Sequence, residues 1–252
     1  MQRWKNKVAV VTGASNGIGA ACAQALVQAG LTVVGLARRQ DRIINLKEEL
    51  PESTKSNLHA IKCDVSVEES VLEAFKSVKD KFGGVDILIN NAGIIATTQL
   101  SQTDNTKEIR QTVDTNIMGT VYCTRESFES MKERNASGHV IIINSVAGLQ
   151  VPNLGPQLPS LNIYPATKFA LRAMNEIYRQ EFQRDNTKVR ISTISPGIVD
   201  TDILPPNIQS IVKGNCPMLR SSDVAETMLW ILNTPPNVQV QNVTIKPMDE
   251  KF

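Results

Sequence analysis

Seven short runs rich in valine and isoleucine alternate with longer stretches of helical spacing along the chain, and few folds accommodate that rhythm. The runs are VAVVT (8–12), TVVGLA (32–37), LHAIKC (58–63), VDILIN (85–90), HVIIIN (139–144), VRISTIS (189–195) and VTIK (243–246). Between them the spacing predicts helices over 17–29, 41–50, 67–82, 107–134, 165–185 and 222–233. Strands this apolar, without strict alternation, belong to a sheet covered on both faces. Strand–helix–strand order then calls for parallel strands joined by right-handed crossovers. The expected fold is α/β: one doubly wound domain over residues 1–252, with about seven parallel strands and helices on both faces.

Composition narrows the function classes. The net charge is only +2, so no polybasic surface and no nucleic-acid partner are expected. Cys22, Cys63, Cys123 and Cys216 lack the paired spacing of a zinc site or a disulfide framework, and are expected to be reduced, buried thiols of a cytoplasmic protein. No metal site is expected. The N-terminal MQRWKNKVAVV holds too short an apolar run for a signal peptide, and no stretch reaches the ~20 apolar residues of a membrane span. His59 and His139 fall at strand starts, away from the edge where ligands bind, and are assigned no chemistry.

Thr12-Gly13-Ala14-Ser15-Asn16-Gly17-Ile18-Gly19 follows the first strand and opens the first helix. Glycines there let backbone approach a ligand, and the helix N-terminus offers N–H groups and a positive dipole end to a phosphate. The spacing is G-x3-G-x-G. It is neither a P-loop nor G-x-G-x-x-G, since Cys22 stands where the third glycine of the latter would be. A simple tight turn is the alternative. Two irregular stretches, the proline-rich loop 149–163 and the segment 201–221, follow the fifth and sixth strands and so lie at the ligand-binding carboxyl edge.

Tyr164 and Lys168 are spaced i, i+4, on one helix face, and Pro165 places the tyrosine at the helix start. An ammonium beside a phenol favours the phenolate, which predicts a lowered tyrosine pKa suited to proton transfer.

TGASNGIG, NNAG (90–93), Ser145, YPATK (164–168) and SPGIVDT (195–201) occur in this order. Together they resemble the short-chain dehydrogenase/reductase family over nearly the whole chain. MQRWKNKVAVVTGAS, GLARR and VPNL further resemble its insect farnesol dehydrogenase-like group. The resemblance implies a Rossmann fold and hydride exchange between a nicotinamide cofactor and an alcohol or carbonyl. It implies that Ser145 holds the substrate oxygen, that Tyr164 exchanges the proton, and that Lys168 also holds the nicotinamide ribose. Asn116, in TNIMGT, would complete a water relay. Ser145 and Tyr164 are 19 residues apart, more than is usual in the family, with the extra length in the proline-rich loop. Ser160 is the alternative serine.

For the cofactor, the resemblance implies contacts from Gly13, Ser15, Asn16, Gly17, Ile18 and Gly19, from Asn91, Ala92 and Gly93, and from Tyr164 and Lys168. Asn90 would hold the ribose region and the central strand ends. Asp64 and Val65 would meet the adenine, although Asp64 also reads as a helix N-cap. Pro196, Gly197 and Ile198 would cap the nicotinamide and Thr201 would bond its carboxamide; a plain Pro-Gly turn is the other reading. The second strand ends in Ala37-Arg38-Arg39 with no carboxylate, and Asp41 reads as the next N-cap. Arg38 and Arg39 suit a 2′-phosphate, so NADP is the expected cofactor.

Residues 202–218 form a candidate lid, whose Ile203, Leu204, Ile208, Ile211 and Val212 suggest an apolar small-molecule substrate, unless they are packing residues. A homodimer or homotetramer through helices 107–134 and 165–185 is implied by analogy. Two rivals exist. A non-catalytic NADP(H)-binding regulator would be expected to lack one of Ser145, Tyr164 or Lys168, and a nucleotide dehydratase or epimerase would need a longer C-terminal part.

Overall fold

The computed structural model describes residues 1–153 and 159–250, so residues 154–158 of the proline-rich loop lie outside the description. The strands are β1 (Val8–Thr12), β2 (Thr32–Ala37), β3 (Leu58–Lys62), β4 (Ile87–Asn90), β5 (His139–Ile143), β6 (Arg190–Pro196) and β7 (Asn242–Ile245). All pair in parallel, in the order β3-β2-β1-β4-β5-β6-β7. The order reverses between β1 and β4, the switch point where a doubly wound sheet opens a crevice.

Successive strand residues feed opposite faces. Ala9, Val11, Ile87, Ile89 and Ile141 pack with Leu26 and Val27 of α1 (Gly17–Gln28) and with Met228 and Ile231 of α9 (Ser221–Asn233). Val8, Val10, Leu88, Val140 and Ile142 pack on the other side, against Val71, Phe75 and Val78 of α4 (Glu68–Phe82). There Cys123 and Met131 of α6 (Gly119–Glu133) and Leu171 and Phe182 of α7 (Tyr164–Arg184) complete the layer. Each fully buried aliphatic side chain contributes about 1.5–3 kcal/mol, so two such layers explain why the strands carry few polar residues.

The structure refines several expectations. The helix expected over 107–134 is broken into α5 (Thr106–Val113), a π-helical segment Asp114–Met118, and α6. A π-bulge inside an α-helix commonly marks a functional site. Here it carries Asn116, whose Oδ1 accepts from Ile94 N at 2.9 Å while Nδ2 donates to Ile94 O and Thr167 Oγ1, each at 3.1 Å. Helix α2 (Gln40–Glu48) begins at Gln40, so Asp41 sits inside its first turn instead of capping it. Among the described residues two α-helices were not expected: the short α3 (Glu52–Lys55) and α8 (Pro206–Asn215), the latter within the candidate lid. Much of the apolar stripe on α7 is core, with Phe182 stacked on Phe128 at 4.1 Å, but Ile177 remains 52% exposed. No helix among the described residues is long and apolar enough to cross a membrane.

Candidate active site

The ends of β1 and β4 are stapled together across the switch point. Thr12 Oγ1 accepts the N–H groups of Asn91 and Ala92, each at 3.0 Å. Asn91 Nδ2 returns to the carbonyls of Thr12 and Gly13 at 3.0 and 3.3 Å. Asn90 instead donates from Nδ2 to Thr124 Oγ1 at 2.9 Å and is not among the residues lining the groove. Consecutive strand residues face opposite sides, so only one of the two asparagines can serve the crevice.

Gly13 has φ +65°, and a Cβ there would sit 2.9 Å from Asn91 Nδ2. A Cβ on Gly19 would strike the Gly13 carbonyl and the same amide. Asn16 caps α1 by accepting from Gly17 N at 2.7 Å. The result is a groove of about 470 Å³ lined by Gly13, Ser15, Asn16, Gly17 and Ile18 on one wall and by Asp64, Val65, Asn91, Ala92 and Gly93 on the other. Asp64 does not cap α4, whose flanking residue is Val67; its Oδ1 accepts from Ser66 N and Ser66 Oγ at 3.1 and 2.6 Å. Arg38 and Arg39 line the far end of the groove, and so does Arg42. The sequence reading missed Arg42, although it stands one helical turn beyond Arg38 and Arg39. None of the three forms an ion pair with a described residue.

The groove shares Ile18, Asn91, Gly93, Ile95, Thr201 and Ile203 with a smaller cavity of about 210 Å³. That cavity is lined by Ser145, Tyr164 and Lys168 and by a largely apolar shell that includes Ile95, Pro152, Pro159, Leu161 and Val199. Ile203, Leu204, Ile208 and Val212 of the candidate lid also line it, whereas Ile211 does not. Cys216 lines the cavity too, and is half-buried rather than a core thiol.

Ser145 starts a 3-10 turn, Val146–Gly148, where its Oγ accepts from Ala147 N at 3.1 Å. The same hydroxyl lies near enough to the Tyr164 phenol to favour its ionised form. Ser160 instead accepts from Asn162 N at 3.1 Å and does not line the cavity. The turn lies flush on α7: a Cβ on Gly148 would come within 2.6 Å of the Lys168 carbonyl. That contact fixes Ser145 against Tyr164 however long the loop between them is. Asn116 lies behind this wall, its amide consumed by Ile94 and Thr167, and its side chain does not reach the cavity.

Electrostatics here differ from expectation. Burial pushes the Tyr164 phenol up to about 12, opposed only by the neighbouring Ser145 hydroxyl. Burial also pulls Lys168 down to about 8. Lys168 Nζ sits 5.5 Å from the centre of the tyrosine ring and donates to Ile143 O at 3.0 Å. Desolvation disfavours the charged form of each group, so the phenol is not acidified in the protein alone.

The segment after β6 completes the site. Pro196, Gly197, Ile198 and Thr201 line the cavity, and Thr201 packs within 2.9 Å of where a side chain on Gly17 would begin. Asp202 ties lid to glycine turn: Asn16 Nδ2 donates to its Oδ2 at 2.6 Å. Gln209 of α8 donates to Thr201 O at 2.8 Å, and Lys213 pairs with Asp200 at 2.7 Å.

The comparisons agree with this geometry. Residues 7–210 match the family model described as short chain dehydrogenase. The chain is 51% identical over 252 residues to farnesol dehydrogenase of Aedes aegypti, covering 100% of both chains. It is 41% identical to dehydrogenase/reductase SDR family member 11 of Mus musculus, covering 99% of this chain and 97% of the relative. Among solved structures, an alcohol dehydrogenase from Thermococcus sibiricus complexed with 5-hydroxy-NADP superposes with TM-score 0.81 at 28% identity over 98% of both chains. The closed form of a serine dehydrogenase complexed with NADP⁺ superposes with TM-score 0.83 at 28% identity over 97% of this chain and 96% of that one. From sheet order to the paired hydroxyls at the crevice, and in both kinds of comparison, the chain belongs to the short-chain dehydrogenase/reductase family of oxidoreductases, which use a nicotinamide cofactor.

Proposed function

We propose that this protein is an NADP(H)-dependent oxidoreductase that interconverts an apolar alcohol and its carbonyl compound, with Tyr164 as the proton-transfer group. The observation that carries this reading is the Ser145–Tyr164 hydroxyl pair opening into an apolar cavity continuous with the groove. A dinucleotide fits the groove's chemistry: the glycine turn leaves no room for side chains where a diphosphate would lie, and the first turn of α1 faces the same space. Arg38, Arg39 and Arg42 offer guanidinium forks to a 2′-phosphate. Asp64 and Val65 border the adenine end, and Gly197, Ile198 and Thr201 the nicotinamide end.

When bound, the nicotinamide ring supplies or accepts the hydride. The chain's own groups handle the oxygen. Ser145 donates a hydrogen bond to the substrate oxygen and orients the carbon. The Tyr164 phenol, protonated at neutral pH, gives its proton to that oxygen in carbonyl reduction and receives it in alcohol oxidation. Lys168 holds the ribose and carries the positive charge that favours proton delivery. Asn116, through Ile94 and Thr167, keeps the crevice wall and α7 in register.

Isoprenoid alcohols such as farnesol, the activity named for the Aedes aegypti relative, lead the candidate substrates, followed by steroids and small apolar carbonyls. The lid residues Ile203, Leu204, Ile208 and Val212 support an apolar chain. Buried thiols at Cys22, Cys63 and Cys123 fit a reducing cytoplasm, and exposed Ile177 and Phe169 on α7 fit a homodimer or homotetramer built on that helix. An NADPH absorbance assay over isoprenoid alcohols, aldehydes, steroids and diketones tests the reading. Turnover of an apolar member supports it, and NADPH binding without turnover of any would favour a regulatory role.

A further inference from the structure

The segment that would meet the nicotinamide is held from behind by a residue near the end of the chain. After β7 the backbone turns back at Pro247–Glu250, with Glu250 N donating to Pro247 O at 3.3 Å. This brings the Glu250 side chain against the segment that follows β6. Its Oε2 accepts from Ile198 N at 3.2 Å, and its Oε1 lies 3.1 Å from Lys246 Nζ. The carboxylate side chain is only 1% exposed, while that of Lys246 is 40% exposed. Gly197 has no room for a Cβ, because that atom would overlap the Glu250 carboxylate and lie 3.0 Å from Pro247. Gly197 N in turn donates to Ile245 O at 2.8 Å.

Burying a carboxylate is costly unless it is paired and hydrogen-bonded. A terminal segment that served only to cover the sheet edge would do so better with an apolar side chain. Glu250 instead spends its charge on one backbone N–H, that of Ile198, and on one cation. Pro196, Gly197, Ile198 and Val199 line the cavity, but Glu250 does not. The carboxylate therefore sets where the segment lies without occupying the pocket.

We infer that Glu250 is a positioning residue: its buried carboxylate fixes the Gly197–Ile198 backbone and thereby the place of the nicotinamide end of the cofactor. This rests on the cofactor reading above. Removing the anchor frees one end of the site and leaves the adenosine end, with Arg38, Arg39 and Arg42, untouched. The two ends can be probed separately, with NADPH and with adenosine 2′,5′-bisphosphate, which lacks the nicotinamide.

Binding of both probes to the full chain is measured by calorimetry for the unmodified protein, Glu250→Ala, Glu250→Gln and Gly197→Ala. The expected result is a roughly tenfold or larger loss of NADPH affinity in Glu250→Ala with adenosine 2′,5′-bisphosphate unchanged. Glu250→Gln, which keeps an acceptor for Ile198 N, should recover most of that loss. Gly197→Ala, which displaces the carboxylate from the other side, should reproduce it even if Glu250→Ala does not fold. Equal losses for both probes, or no loss for either, would overturn the inference while the cofactor reading stands. An unmodified protein that bound neither probe would overturn both.

Discussion

Lys168 Nζ donates to the carbonyl oxygen of Ile143 at 3.0 Å, so the ammonium on α7 is tethered to the end of β5. The bond joins two elements that each carry part of the site.

This tether has a pH consequence. Lys168 is held down to about 8 by burial, so its charge is present below that pH and lost above it. Carbonyl reduction takes up a proton, and alcohol oxidation releases one. The rate of reduction should fall as pH rises through about 8, while that of oxidation should rise over the same interval. Steady-state rates in both directions between acid and alkaline pH check this, and parallel slopes would contradict it.

The contact between Gly148 and α7 makes a second prediction. A methyl at 148 would press on the Lys168 carbonyl 2.6 Å away and lift Ser145 from Tyr164. Gly148→Ala should lower kcat by tenfold or more, since displacements of about 1 Å at a reacting centre cost up to ~10²-fold. NADPH affinity, measured by fluorescence titration, should stay within roughly twofold, because the groove is built on other elements.

Arg42 enters through the fold rather than through the glycine turn. Arg38→Asp and Arg42→Ala should each weaken NADPH binding several-fold to tenfold or more and leave NADH nearly unchanged. Equal losses for the two cofactors would show that these side chains do not read the 2′-phosphate.

The bond between Asn16 and Asp202 links the glycine turn to the segment that follows β6. The bond is solvent-exposed, so it is worth little in stability. Its expected effect is kinetic: Asp202→Ala should speed NADP(H) release by about two- to fivefold in stopped flow, with the melting temperature unchanged.

The sheet was legible because strands buried on both faces must be Val/Ile-rich throughout, and β1, β2 and β5 are apolar or small at nearly every position. Tyr164, Lys168, Ser145 and the glycine turn were legible because their spacing in sequence maps directly onto a helix face or a strand end. The π-helical segment was not, since one extra residue hardly disturbs the apolar spacing over 107–134. The choice between Asn90 and Asn91 depends on strand register, which neighbouring identical residues hide. Glu250 could not be found either: its partners Gly197 and Ile198 lie 53 and 52 residues earlier, and an acidic residue in a charged stretch such as Asp249-Glu250-Lys251 gives no signal. The tyrosine's acidity was misjudged for a similar reason, because spacing shows the neighbouring charge but not the burial that opposes it.

Proton transfer is assigned to the Tyr164 hydroxyl, and Tyr164→Phe removes that atom while keeping the ring packed. Turnover of the best substrate found in the NADPH assay should fall by about 10²–10⁴-fold, with NADPH affinity preserved. Turnover close to that of the unmodified protein would contradict the assignment of proton transfer to Tyr164.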